Sequence, residues 1–230
     1  MDSTFFTPIW ISIKTALLAT VITFFLGIYA AVYVIRVKHY QGFWDGLFTL
    51  PMVLPPTVVG FFLLLLLGKN SFAGKFFALF DYNFIFSWEA TVVSAVVVSF
   101  PLMYRTARGA FEQLDNNIIY AARILGISEW KIFWRVMLPN SFYGIMAGVV
   151  LAFTRALGEF GATIMVAGNI PGKTQTISTA IYTAVQAGDY ELAYKWVSVV
   201  VFISFAVILM LNSWLAKQGK NPAYISRKAG

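Results

Sequence analysis

The sequence predicts an all-α integral membrane protein of about five spanning helices, and three observations carry that reading. The apolar residues fall in long runs, each near the ~20 residues a helix needs to cross a bilayer. Hydrophobic residues make up 59% of the 230 positions and charged ones 12%, where a soluble domain is nearer a half and a quarter. The basic residues gather between the runs and mostly on alternate connections, the pattern that orients helices in a membrane.

The runs are 9–35, 47–67, 88–104, 142–167 and 196–215, within one transmembrane domain covering 1–230. The second opens on Pro51, Pro55 and Pro56, so its first turns are expected to be kinked or irregular. Such backbone survives at membrane depth only when packed in protein or lining a cavity. The first run carries Asp2 and no basic residue ahead of it and is too long for a cleaved leader, so it reads as a span.

Orientation follows from the charges. One side holds Arg36, Lys38, Arg105, Arg108, Arg123, Lys131, Arg135, Lys217, Lys220, Arg227 and Lys228, and the other Lys69, Lys75, Lys173 and Lys195. The richer side is expected to be cytoplasmic, with the N-terminus outside and the C-terminus inside. The net charge of +7 is thereby explained as topology, without a nucleic-acid partner. With no cysteine in the chain, thiol catalysis, disulfides and thiolate metal sites are excluded.

The stretch 105–139 is far longer than a connector needs. Asp115 can cap a helix that stops at Gly126, the usual residue past a helix C-terminus. Ser128 can cap a second helix ending before Pro139, with Ile132, Phe133, Val136 and Met137 on its apolar face beside Trp130 and Trp134. The pair forms a knuckle hinged at the glycine. On the other side, 166–195 holds a Gly168–Gly172 turn and an amphipathic stretch with Ile177, Ile181, Ala184 and Val185, expected to act as a lid or re-entrant helix. Gly172-Lys173-Thr174 is not a phosphate-binding loop: the required glycine five residues before the Gly-Lys pair is Ala167.

Ala121-Ala122, Gly126 and Leu138-Pro139, with Val136 between, resemble the Glu-Ala-Ala loop of type I ABC importer permeases. The one departure is Tyr120, where that family usually has a glutamate. Leu50–Gly60, Phe86-Ser87-Trp88, Ser99–Met103, Arg155–Ile164 and Asn169–Gly172 are similar to signatures of the molybdate group within it. The resemblance implies a multi-pass protein of a prokaryotic cell membrane, paired with a second copy of itself. It also implies two cytoplasmic ATPase subunits carrying the ATP-Mg, and an external protein delivering a tetrahedral oxyanion. Molybdate is the expected cargo, with tungstate and sulfate or thiosulfate as alternatives. The ATPase-coupling residues would be Tyr120, Ala121, Ala122, Gly126, Ile127, Ser128, Leu138 and Pro139. No cofactor, metal or catalytic residue is expected on this chain. A self-contained secondary carrier or channel is the competing class, and it would call for more spans and internal symmetry.

Two features stay open at this level. Arg155 and Glu159 lie four apart at the end of a span. With Pro55 and Pro56 they are candidates for a gate or pathway, and a structural ion pair is the other reading, since charge in a membrane is costly unless used. Gly144, Gly148, Ala152 and Ala156 recur every four residues, the spacing that lets helices approach closely in lipid. They face either their own subunit or a second copy.

Overall fold

The computed structural model describes residues 3–37 and 39–218. Lys38, Lys220, Arg227 and Lys228, on which the orientation partly rests, lie outside them, as do the side chains of Trp214 and Lys217. The elements are α1 (Ser3–Arg36), α2 (Gln41–Val53), α3 (Pro56–Leu67), α4 (Phe72–Ala78), α5 (Trp88–Glu112), α6 (Asn116–Ile124), α7 (Glu129–Ile132), a π-helical turn (Phe133–Met137), α8 (Leu138–Leu157), α9 (Gly161–Val166), α10 (Ile177–Gln186) and α11 (Tyr190–Gln218). Four of the helical stretches are long and apolar enough to cross a membrane, and the bent pair α2–α3 makes up to five.

The core is a bundle of α1, α5 and α8. Small residues set its tightness. A Cβ added at Gly27 of α1 would meet Met103 Cγ at 2.7 Å, and one at Gly144 of α8 would meet the Ala110 Cβ at 2.6 Å. Gly148 is close behind, against Thr106 and Met103. Ala152 and Ala156 bury in the same bundle. The four-residue stripe therefore meets α5 and α1 of its own subunit. Since lipid is as apolar as the side chains, close backbone approach supplies the attraction.

The first and last helices begin about two turns earlier than the sequence reading has them, and the second, third and fourth runs differ more. The second run is interrupted, with α2 and α3 meeting at 109°. Pro55 and Pro56 provide no amide protons, and the residue before a proline is pushed out of the helical region; Leu54 is accordingly extended, at φ −71° and ψ 143°. The third helix does not stop at Tyr104 but continues to Glu112, because Tyr104, Ala107 and Phe111 keep burying one face. There Arg108 bonds Asp45 and Glu112, and Tyr104 donates to Asp45, tying α2 to α5. The fourth span ends at Leu157 rather than Ala167: Gly158 closes α8, and 161–166 is a separate short helix.

At the end opposite the knuckle, α10 is held against the start of α1. The Ile177 amide donates to Ser12 Oγ at 2.7 Å, and the Trp196 indole donates to the Phe5 carbonyl. Ile177, Ala180 and Ala184 are buried there, whereas Val185 is exposed instead of lying on the apolar face.

Candidate functional site

The knuckle is built by a helix terminus that only glycine makes easily. Asp115 accepts from the Asn117 amide at 2.8 Å and starts α6. Gly126, at φ +71°, ends it. The Gly126 amide donates to the Arg123 carbonyl, and the Ile127 amide to the Ala122 carbonyl, the two bonds of a Schellman ending. Ala122 is buried in this turn while Ala121 beside it is exposed. Nothing lies within 4 Å of a Cβ placed at Gly126, so the position requires its backbone angle and not empty space.

Ser128 has the extended backbone of a helix cap, but its hydroxyl makes no capping bond. The segment after it does not end before Pro139. It runs from α7 through the π turn straight into α8, as a single stretch Glu129–Leu157. Pro139 has no amide to give, and the preceding turn widens: the Leu138 amide reaches Phe133, five residues back. The Asn140 side-chain amide donates to the Val136 carbonyl in the same turn. Consequently one arm of the knuckle is continuous with a spanning helix; half-buried Phe133 packs on Phe111 of α5, and Ile132 beside it is fully buried.

Across the hinge, Arg123 donates twice to Glu129, at 2.7 and 3.2 Å, and its guanidinium lies 5.9 Å from the Tyr120 ring. That hydrogen bond raises the Arg123 pKa above the usual guanidinium value. No helix-spacing rule pairs residues six apart, so this contact is invisible until the turn at Gly126 is known. It supplies a carboxylate to the hinge although position 120 is a tyrosine. Around it Ile124 (86%), Leu125 (77%), Trp130 (70%), Tyr120 and Ile118 are exposed. An apolar patch rimmed by charge on a projecting element fits a protein partner. Leu138 and Pro139 sit apart from this patch, at the mount: Leu138 is half-buried, and Pro139 is exposed on the first turn of α8.

The other candidates do come together. Glu159 is 2% exposed; one carboxylate oxygen accepts from Arg155 at 2.6 Å and the other from the Ala162 amide at 2.8 Å. It therefore ties the end of α8 to the start of α9. Next to it, Gly161 packs on Pro56, where a Cβ would come within 2.8 Å, and Gly60 packs on Ala162 and Met165. The Pro55–Pro56 break is thus the cradle in which the Arg155–Glu159 turn rests. Arg155 keeps 30% of its side chain exposed.

The knuckle projects from a bundle of long apolar helices, and its second arm continues into one of them. The chain belongs to the family of binding-protein-dependent transport system inner membrane components, whose pattern matches residues 6–218. It is a multi-pass membrane protein.

Among known proteins it is 43% identical over 212 residues to YvgM of Bacillus subtilis, provisionally named a molybdenum transport system permease protein, covering 91% of this chain and 93% of that one. It is 39% identical over 215 residues to the molybdenum transport system permease protein ModB of Escherichia coli K12, covering 93% and 94%. The sulfate transport system permease protein CysT of E. coli is 36% identical over 176 residues, 76% of this chain and 64% of that one. In fold it is similar to a bacterial ABC transporter involved in alginate import (TM-score 0.78, 15% identity, 96% of this chain and 82% of that one). It is likewise similar to the MetNI methionine ABC transporter (TM-score 0.74, 12% identity, 94% and 99%).

Proposed function

We propose that this chain and a second copy of itself form the translocation path of an ABC importer whose cargo is molybdate. Two cytoplasmic ATPase subunits dock on the knuckles and hold the ATP-Mg, and an extracytoplasmic protein delivers the oxyanion. The chain itself hydrolyses nothing, carries no cofactor and contacts no nucleic acid. Its N-terminus is outside and its C-terminus inside.

The observation that carries this reading is the continuity of the knuckle with α8. A load applied at Ala121–Gly126 crosses only the short hinge, where Arg123 is paired with Glu129, and from Glu129 it reaches the Arg155–Glu159 turn through one continuous helical stretch. ATP binding draws the two knuckles together, α8 moves with them, and the turn cradled at Pro55–Pro56 opens the far side. Hydrolysis reverses the movement. Arg155, half-buried beside a buried partner, adds positive potential for a dianion without forming a tight site. Molybdate is favoured by the names of the relatives at 39–43% identity.

The test is molybdate uptake by proteoliposomes holding the assembled importer, with ATP inside and excess sulfate outside. Uptake that needs ATP and ignores sulfate supports the proposal. Equal competition by sulfate transfers the cargo assignment to sulfate, for which the CysT likeness is the supporting observation. Uptake without any ATPase subunit would establish a self-contained carrier instead.

A further inference from the structure

A groove of about 430 Å3 lies between the knuckle-side half of α1 and the mount of the knuckle. Phe24, Phe25 and Tyr29 form one wall, and Phe133, Trp134 and Leu138 the other. Arg36, Glu129 and Trp130 stand at its end.

Its depth in the membrane follows from α1. Lys14, near the opposite end, puts its ammonium 3.7 Å over the Trp88 ring, an arrangement suited to the water–lipid boundary. From Lys14 to Arg36 a helix rises about 33 Å, close to the ~30 Å of bilayer hydrocarbon. The groove therefore occupies the leaflet on the knuckle side, its apolar length in hydrocarbon and its charged end at headgroup level. It also continues a stripe of exposed apolar residues on α1: Leu17, Val21, Phe25 and Tyr29.

The lining argues against a helix as occupant. Spanning helices approach one another over small residues, and no Gly, Ala, Ser or Thr lines this groove. Bulky aromatic walls leave a slot that a flexible, thin chain fills better than a helix about 10 Å across. Of the two charged residues at the end, Glu129 is already held by two hydrogen bonds from Arg123, outside the lining, whereas Arg36 is in no salt bridge among the described residues and is left to face an anion.

We infer that the groove is a phospholipid site, holding one acyl chain between α1 and the knuckle mount with an anionic headgroup on Arg36. The far wall belongs to the π turn, so the lipid braces the segment through which the knuckle joins α8. Membrane composition then acts on the stiffness of that joint. This assignment goes beyond transport and does not depend on the cargo or on the ATPase.

The test uses the full chain, purified in mild detergent with phosphatidylglycerol and phosphatidylcholine as probes and examined by native mass spectrometry. Phosphatidylglycerol should be retained in preference to phosphatidylcholine. Arg36→Gln should retain about fivefold less of it, the contribution of one basic residue at an anionic surface. Val32→Trp, which fills the slot, should retain little of either lipid. A photoreactive p-benzoylphenylalanine at Tyr29 should capture phospholipid. Retention unchanged in Arg36→Gln overturns the site even if Val32→Trp fails to fold. Capture of a second polypeptide at Tyr29 overturns it too, assigning the groove to a protein contact. Either failure leaves the coupling role of the knuckle standing, because that role is read from uptake.

Discussion

Gly126 offers the sharpest test of the knuckle, because the structure separates two reasons for a glycine. Space is not the reason, since an added Cβ would meet nothing within 4 Å. The backbone is the reason: φ is +71°, and a residue with a Cβ is disfavoured there by roughly 1–2 kcal/mol, asparagine least among them. A β-branched residue is the worst fit. Two Schellman hydrogen bonds depend on that angle, each worth about 0.5–1.5 kcal/mol. For Gly126→Val, a conformational cost of about 2 kcal/mol makes the hinged form roughly thirtyfold less favoured against a frayed one. Gly126→Asn should keep the hinge nearly intact. The assay is oxyanion imported per ATP hydrolysed by the assembled importer, with membrane insertion and chain stability measured in parallel. The expectation is near-normal coupling for Gly126→Asn and uncoupled ATPase activity for Gly126→Val, with both inserted normally. Equal coupling in the two variants would refute the reasoning, because then neither angle nor hinge matters.

Three further outcomes are expected. Glu129→Arg should lower the coupling ratio without changing thermal stability, since the pair is exposed and screened, and the charge swap with Arg123→Glu should restore coupling; failure of the swap would show that the contact is incidental. Glu159→Ala leaves Arg155 and the Ala162 amide without their partner, and unfolding in detergent should report a loss of about 3 kcal/mol, with Glu159→Gln losing less because it still accepts from the amide. Gly144→Ala should force α8 from α5 and cost roughly 1–3 kcal/mol, and Ala110→Gly in the same chain should recover most of it, as the clash is between those two positions.

Much of the knuckle was legible in the sequence because it is local. Asp115 and Gly126 act within a few residues of themselves, and the structure puts the cap and the left-handed turn where those residue types require them. The second arm was misread at Pro139, where a π turn lets the helix pass into α8. A proline normally marks a break, and the widened turn in which the Leu138 amide reaches Phe133 is a geometry that propensity does not encode. Ser128 illustrates the same limit: its residue type suits a cap, yet its hydroxyl forms none.

By itself the sequence determined that the chain lives in lipid, how many apolar runs it has, and where a hinged element projects. These follow from composition, run length and single-residue backbone preferences, all of which act along the chain. Only the tertiary structure decided which helix the Gly144–Ala156 stripe meets, that Pro56 cradles the turn held by Glu159, and that Arg123 closes on Glu129 across the hinge. It also decided that the second arm of the knuckle and α8 are one continuous helical piece. Each of these depends on which surfaces meet after the helices pack. In lipid that choice is made by close fit between particular small and large residues, and the hydrophobic pattern of any one helix does not contain it.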